Sequence, residues 1–385
     1  MTTIDRLSDI YEKNGINFAT GIPCGVLGEF ILSFNSDSRI LHIPALNERE
    51  AVGLAAGAYL GGKMPVLYMQ NSGFFVSSNE FASVLALMRI PALAIISHRG
   101  CFGEDATQHL LTGRNTKTLL NGFGIFHLEM TEDNMEEVIT EAVRHAKKNM
   151  MPVAILVKRG WNGHPFVSGQ PSGGMNVLRN SSGTIRNLMN NSMDLDREAA
   201  IDCVMSVCSG FGIENPNAII STTGLISRSC YERYDNPCLI YNPGGFGQTS
   251  AIGLGFALAK PDVITAIIDG DASVMADIGN LSLVGANKPK NLIHVVIDNE
   301  AYGSCSEEKS LSSVIDLPAI ASASGYRNVF VVDSAEYLKS ALACSLDGNG
   351  PLMVIAKVKL GGRRNFSRPL NMSAISERFR NNFAK

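Results

Sequence analysis

The chain has 385 residues, more than one compact core usually organises, so two domains are expected. Hydrophobic residues make up 45% and charged residues 18%, the balance of a soluble globular protein, and the formal net charge of −3 supplies no basic field for nucleic acid. No apolar run approaches the ~20 residues of a membrane helix, and the eight cysteines form neither a C-x-x-C pair nor a zinc-spaced Cys/His cluster, which reads as reduced thiols in a cytoplasmic protein.

The opening "MTTIDRLSDIYEKNG" reads as an amphipathic helix with Ile4, Leu7, Ile10 and Tyr11 on one face, not as a signal peptide. Short Val- and Ile-rich runs follow, many beginning at or just after a proline: "MPVLYMQNSG", "IPALAIISHRG" and "MPVAILVKRG" in the first half. "NPNAIISTTG", "PDVITAIIDGD", "NLIHVVIDN" and "GPLMVIAKVK" continue the pattern in the second. Such runs read as strands buried on both faces. Between them lie helical spacings such as "EREAVGLAAGAYLGG" and "TEDNMEEVITEAVRHAKKN", so the fold class expected is α/β, with two doubly wound parallel-sheet domains. The stretch "NGHPFVSGQPSGGMNVLRNSSG" is dense in Gly, Ser, Pro and Asn and reads as a linker. The boundaries expected are a first domain over 1–165, a linker over 166–194 and a second domain over 195–385, with no middle domain.

The run "IIDGDASVMADIGN" ends a strand on carboxylates around a glycine and starts a helix at once. Ligands bind beyond the carboxyl ends of parallel strands. There Asp271 can take a Mg²⁺ ion, and the helix start behind it suits a phosphate. An Asp after a strand also caps helices, which is the plain alternative for Asp271 alone. The following strand ends in Asp298-Asn299-Glu300-Ala301-Tyr302-Gly303, and Asn299 beside Asp271 favours the metal.

"GDA" at 270–272 followed by "DN" at 298–299 resembles the signature of thiamine diphosphate enzymes, with Ala272 in place of a glycine and Asp298 in place of an asparagine. The resemblance implies that Asp271 and Asn299 are side-chain Mg²⁺ ligands, that Ala301 supplies a carbonyl, and that Gly270, Ala272, Ser273 and Tyr302 line the cofactor. "PALNEREAVGLAAGAYLGG" is similar to the segment in which a Glu opens a small-residue helix, and Glu48 with Gly57 has that spacing. In that family the Glu hydrogen-bonds the pyrimidine ring and drives it to the imino tautomer that takes the thiazolium C2 proton. Glu50 is expected to be an exposed first-turn acid, favourable to the helix dipole. "NPGGFGQTSAIGLGFALA" resembles the segment that bends the cofactor, so Gly244, Gly245 and Phe246 are assigned to it, with a core Phe in a Gly-rich turn as the alternative for Phe246. Gly253 and Gly255 lie inside a helical pattern, not after a strand, and do not read as a dinucleotide loop.

With only a linker between the halves, the chain resembles the phosphonopyruvate/sulfopyruvate decarboxylase family, through "TGIP", "NEREAVGLAAG", "YMQNSG", "STTGLISR", "GGFGQTS" and "GGRRNFSRP". The resemblance implies decarboxylation of 3-phosphonopyruvate to phosphonoacetaldehyde and CO₂, or of 3-sulfopyruvate to sulfoacetaldehyde. It also implies a homodimer or higher homo-oligomer with sites at the subunit interface. Cys24 stands where the phosphonate enzymes carry an Asp, and "CSEEKS" after Tyr302 is a further departure. A small anionic 2-oxo acid asks for cations. Arg99, Arg363 and Arg368 are the candidates, with a solvated basic loop as the alternative for the last two; Cys24, Gln108 and His109 are polar candidates. A catalytically silent thiamine-fold protein is the reading of another class.

Overall fold

A computed structural model of the chain describes residues 2–101, 106–162, 183–190, 194–209, 216–344, 346 and 348–384. The chain divides into two compact units, Met1–Val177 and Leu178–Lys385. Each is α/β, built on one parallel sheet.

The first unit holds β1 (Phe18–Gly21), β2 (Leu41–Pro44), β3 (Pro65–Gln70), β4 (Leu93–Ser97), β5 (Phe126–Met130) and β6 (Val153–Val157), in the order β2-β1-β3-β4-β6-β5. Every residue of β4 and β6 is buried, as expected for strands with both faces covered. The opening helix, Thr3–Asn14, buries Leu7, Ile10 and Tyr11, with Tyr11 stacked on Phe34 at 5.1 Å. Helix Glu48–Leu60 is buried at every residue from Glu50 onward, which its Ala and Gly side chains permit by letting neighbours approach on all sides. Chain order reverses direction between β1 and β3, the switch point at which α/β sheets open a crevice.

The second unit holds β7 (Thr184–Asn187), β8 (Ala218–Ser221), β9 (Leu239–Tyr241), β10 (Thr265–Gly270), β11 (Leu292–Asp298), β12 (Asn328–Val332) and β13 (Leu352–Lys357). Their order is β7-β12-β13-β11-β10-β8-β9, with the switch between β8 and β10. Helix Thr249–Ala259 contains Gly253, where a Cβ would come within 2.4 Å of Ile267 Cδ1, so this glycine serves close helix–sheet packing.

Residues 166–194, expected to be linker throughout, include β7, which pairs parallel with β12 through Asn328↔Thr184 to Val331↔Asn187. All four β7 residues are exposed, as suits an edge strand with no apolar run to announce it. Positions 166–182 and 191–193 of that expectation lie outside the described residues.

Candidate active site

In the second unit a cleft opens beyond the carboxyl ends of β8, β10 and β11 and is lined by Thr222, Gly270, Asp271, Ala272, Ser273, Asn299, Ala301, Tyr302 and Phe246. Register explains the convergence: Gly270 of β10 lies opposite Ile297 of β11, so Asp271 and Asn299 leave neighbouring strands almost together. Asp271 is the first residue of helix Asp271–Ala276, with Gly270 at the cap position. Its Oδ2 accepts the hydroxyl of Ser310, and that of Ser312 lies 3.0 Å away. Burial pushes the Asp271 carboxyl up to about 6; the Ser310 hydroxyl pulls the other way, and the Asp298 charge adds to the rise. Asn299 Oδ1 accepts the Ala301 N–H at 3.1 Å.

Asp298 is also buried, and Lys357, directly opposite it in the β11–β13 ladder, pairs with its Oδ2 at 2.8 Å. Burial alone would lower the lysine, yet its bonds to Asp298 and Glu300 leave its pKa raised. The carboxylate in place of an asparagine therefore has a dedicated counter-charge.

A hydroxyl chain supports the cleft floor. Asn242 Nδ2 donates to Thr249 Oγ1 (3.1 Å), Thr249 to Thr222 Oγ1 (3.1 Å), and Thr222 to Ser273 Oγ (3.2 Å). Asn242 also grips Gly245 from both sides, taking its N–H at 2.9 Å and donating to its carbonyl at 2.6 Å. Gly244, Gly245 and the residues around them thus form a pinned turn that presents Phe246. Phe246 is 38% exposed and lines the cleft, so it is not a core phenylalanine.

In the first unit the carboxyl ends of β1, β2, β3 and β4 are followed by Cys24, Glu48, Gly73 and His98. Glu48 is half-buried at the start of its helix and lies against Gly73, where a Cβ would come within 2.2 Å of Oε1. Glu50, expected to be exposed, is fully buried, and its Oε2 accepts the Leu46 N–H at 2.8 Å. The physical reason is capping: Asn47 accepts the Glu50 N–H at 3.0 Å while the Glu50 side chain reaches back past the cap to a donor before the helix. Cys24 Sγ lies 3.4 Å from Ser97 Oγ. Arg99 is held by its backbone, with Asn71 accepting its N–H at 3.3 Å and donating to its carbonyl at 2.9 Å. Gln108 is exposed, and His109 Nδ1 meets Gln70 Nε2 at 3.3 Å.

The late arginines serve other contacts. Arg363 pairs with Glu232 at 2.6 Å and lies 4.5 Å from the centre of the Phe366 ring; Arg368 is exposed. Neither is among the residues that line the second-unit cleft, whereas Arg197, which the sequence reading did not single out, is. Arg197 is 7% exposed, pairs with Glu198 at 2.5 Å and donates to the Arg363 carbonyl. Ser310 and Ser312 were also missed. They sit in a polar stretch, "SEEKSLSS", whose only sequence signal is its departure from the family pattern.

The residues that line the cleft include the carboxylate Asp271, the amide Asn299 and Ala301, oxygen-bearing groups of the kind that suits Mg²⁺ rather than zinc. Among the described residues no group of three His, Cys, Asp or Glu side chains is placed to hold a metal. A buried carboxylate facing a cleft with phosphate-sized hydroxyl and amide neighbours fits a cation that bridges to an anionic group.

Residues 225–356, which carry the switch-point crevice with its Asp271 and Asn299, match the family described as thiamine pyrophosphate enzyme, C-terminal TPP binding domain, and this places the chain among thiamine diphosphate enzymes. A thiamine diphosphate-dependent 4-hydroxybenzoylformate decarboxylase of Rhodococcus jostii RHA1 superposes with a TM-score of 0.72 at 12% identity, over 94% of this chain and 100% of that one, and so shares the fold. The phosphonopyruvate decarboxylase of Streptomyces viridochromogenes is 32% identical over 95% of this chain and 91% of its own. The sulfopyruvate decarboxylase of Methanosarcina acetivorans is 26% identical over 86% of this chain and 85% of its own. The chain belongs to the phosphonopyruvate decarboxylase family and is a thiamine diphosphate-dependent decarboxylase. Among the described residues no helix is long and apolar enough to cross a membrane.

Proposed function

We propose that this chain decarboxylates 3-phosphonopyruvate to phosphonoacetaldehyde and CO₂, with Mg²⁺ as the second cofactor component. The observation that carries the substrate is the 32% identity to a phosphonopyruvate decarboxylase across nearly the whole of both chains. A second substrate, 3-sulfopyruvate, is favoured by the likeness to a sulfopyruvate decarboxylase over 344 residues.

Bound thiamine diphosphate supplies a nucleophilic carbon and an electron sink. Asp271, Asn299 and the Ala301 carbonyl would hold Mg²⁺, whose charge would offset the repulsion between a bare carboxylate and the diphosphate. Gly270, Ala272 and Ser273 present short side chains and amides to the same diphosphate. Phe246 and Tyr302, both 38% exposed in this chain, offer apolar surface to the ring system. Glu48 would hydrogen-bond the pyrimidine of the bound cofactor and hold a proton at its carboxylate. Cys24, Arg99, Gln108 and His109 are proposed to meet the substrate. Arg363 and Arg368 are retained as candidates for its anionic groups, although Arg363 also pairs with Glu232. The active assembly is a homodimer or higher homo-oligomer of cytoplasmic chains, with sites shared between subunits.

The test is CO₂ release by the protein loaded with thiamine diphosphate and Mg²⁺, with 3-phosphonopyruvate, 3-sulfopyruvate and pyruvate side by side. A preference for 3-phosphonopyruvate in kcat/KM is expected. A preference for 3-sulfopyruvate exchanges the two readings, and turnover of neither overturns both.

A further inference from the structure

We propose that Ser310 and Ser312 are positioning residues that set the Asp271 carboxylate for a divalent cation and tie it to the loop that carries Ala301. The inference rests on the reading of Asp271 as a Mg²⁺ ligand. Both hydroxyls converge on one oxygen, Oδ2: Ser310 donates to it, and Ser312 lies 3.0 Å from it. Ser310 donates its one proton to Oδ2 and Ser312 Oγ lies against the same oxygen, so both serines meet the carboxylate at Oδ2 and neither is bonded to Oδ1. A ligand carboxylate whose second oxygen is hydrogen-bonded cannot rotate freely, which is how outer partners tune metal affinity.

The anchor behind the serines is rigid. Ser312 Oγ is 2.9 Å from Asp298 Oδ1, whose other oxygen is fixed by Lys357. Lys357 also reaches Glu300 at 2.7 Å, so the end of β11, the end of β13 and the serine pair form one connected unit. The two serine hydroxyls are themselves 2.8 Å apart.

The same serines close the loop over 301–309. The Ser310 N–H donates to the Glu300 carbonyl at 2.9 Å, Tyr302 N–H donates to the Glu308 carbonyl at 2.8 Å, and Ala301 bridges antiparallel to Lys309. Ala301 and Asp271, far apart in sequence, therefore have their separation set by Ser310. Two carboxylates that are 3% and 2% exposed are costly to bury side by side. Apolar residues would pack such a loop more cheaply, so the hydroxyls answer a need of the carboxylates.

The experiment uses the full chain freed of metal with EDTA and titrated with Mn²⁺, followed by its paramagnetic resonance signal. Ser310→Ala and Ser312→Ala should each weaken Mn²⁺ binding about tenfold, the usual scale for removing an outer-shell partner. Raising Mn²⁺ in proportion should restore cofactor binding and turnover, and Ser312→Thr, which keeps the hydroxyl, should bind as wild type. Unchanged Mn²⁺ affinity in both alanine variants, with binding lost in Asp271→Ala, overturns the inference and leaves the metal reading standing. Unchanged affinity in Asp271→Ala overturns the metal reading itself. Lost turnover that excess Mn²⁺ does not restore marks a folding role only and also overturns the proposal. Should one alanine variant fail to fold, the other decides alone, because each serine has its own contact to Asp271 Oδ2.

Discussion

Gly73 offers the sharpest test of Glu48. A Cβ at position 73 would lie 2.2 Å from Glu48 Oε1, 2.4 Å from Cγ and 2.5 Å from Cδ. Comfortable carbon contacts are about 3.5–4.0 Å, so Gly73→Ala must drive the Glu48 side chain away by on the order of 1 Å. The atoms displaced end a flexible side chain, and position 73 lies inside helix Asn71–Val76, where Ala is favoured over Gly by up to ~1 kcal/mol. The melting temperature should therefore stay close to wild type. Catalysis should not, since a misplacement of about 1 Å costs on the order of 100-fold, or ~2.7 kcal/mol. Thiamine diphosphate affinity should remain within about tenfold, because the diphosphate half of the proposed site is untouched. The assays are CO₂ release at saturating cofactor, calorimetric binding of the cofactor, and exchange of its C2 proton. A well-folded Gly73→Ala protein with wild-type turnover refutes the reasoning, and with it the catalytic placement of Glu48.

Glu48→Gln should lower turnover at least ~100-fold while the cofactor still binds, whereas Glu50→Ala should show itself mainly as a loss of about 1–3 kcal/mol of stability, since it removes the buried acceptor of the Leu46 N–H. Equal melting temperatures for Glu50→Ala and wild type would contradict the buried cap. The first unit should weaken in acid. Burial lowers the His42 pKa from 6.5 to about 4, so its contribution is present above 6.5 and is lost as pH falls toward 4, by about 3 kcal/mol at most. Denaturant unfolding followed by the fluorescence of Trp161, the single tryptophan, should show that loss in wild type and a smaller one in His42→Gln; parallel curves would exclude His42 as the cause. Mixing inactive Glu48→Gln with inactive Asp271→Ala protein should regain activity if sites are shared between subunits, and no regain after proven subunit exchange would mean that each chain builds its own.

Much of the candidate site's outline in the second unit is readable along the chain, because it depends on local pattern. A Val- and Ile-rich run that stops at Gly270-Asp271 places these residues at the carboxyl end of its sheet, and the next run, ending at Asp298-Asn299, is the natural neighbour in a parallel sheet. Glu48 was singled out by resemblance, as the acid that opens a helix of small residues with Gly57 nine positions on. The burial of Glu50 is not legible in the sequence: two residues further on, an N3 glutamate faces either water or the chain before the cap, and only the packing around the helix chooses. Phe246 likewise required the turn pinned by Asn242 before its exposure was decided. β7 was invisible because an exposed edge strand needs no apolar pattern, only an unpaired neighbour. Ser310 and Ser312 were invisible for a similar reason: polar residues in a polar loop acquire meaning only when the fold delivers a buried carboxylate to them. Hydrophobic periodicity records what each segment hides from water, and so determined the sheets and the residues at their ends. Hydrogen-bond partners separated by 39 and 41 residues leave no such record, and only the tertiary structure decided them.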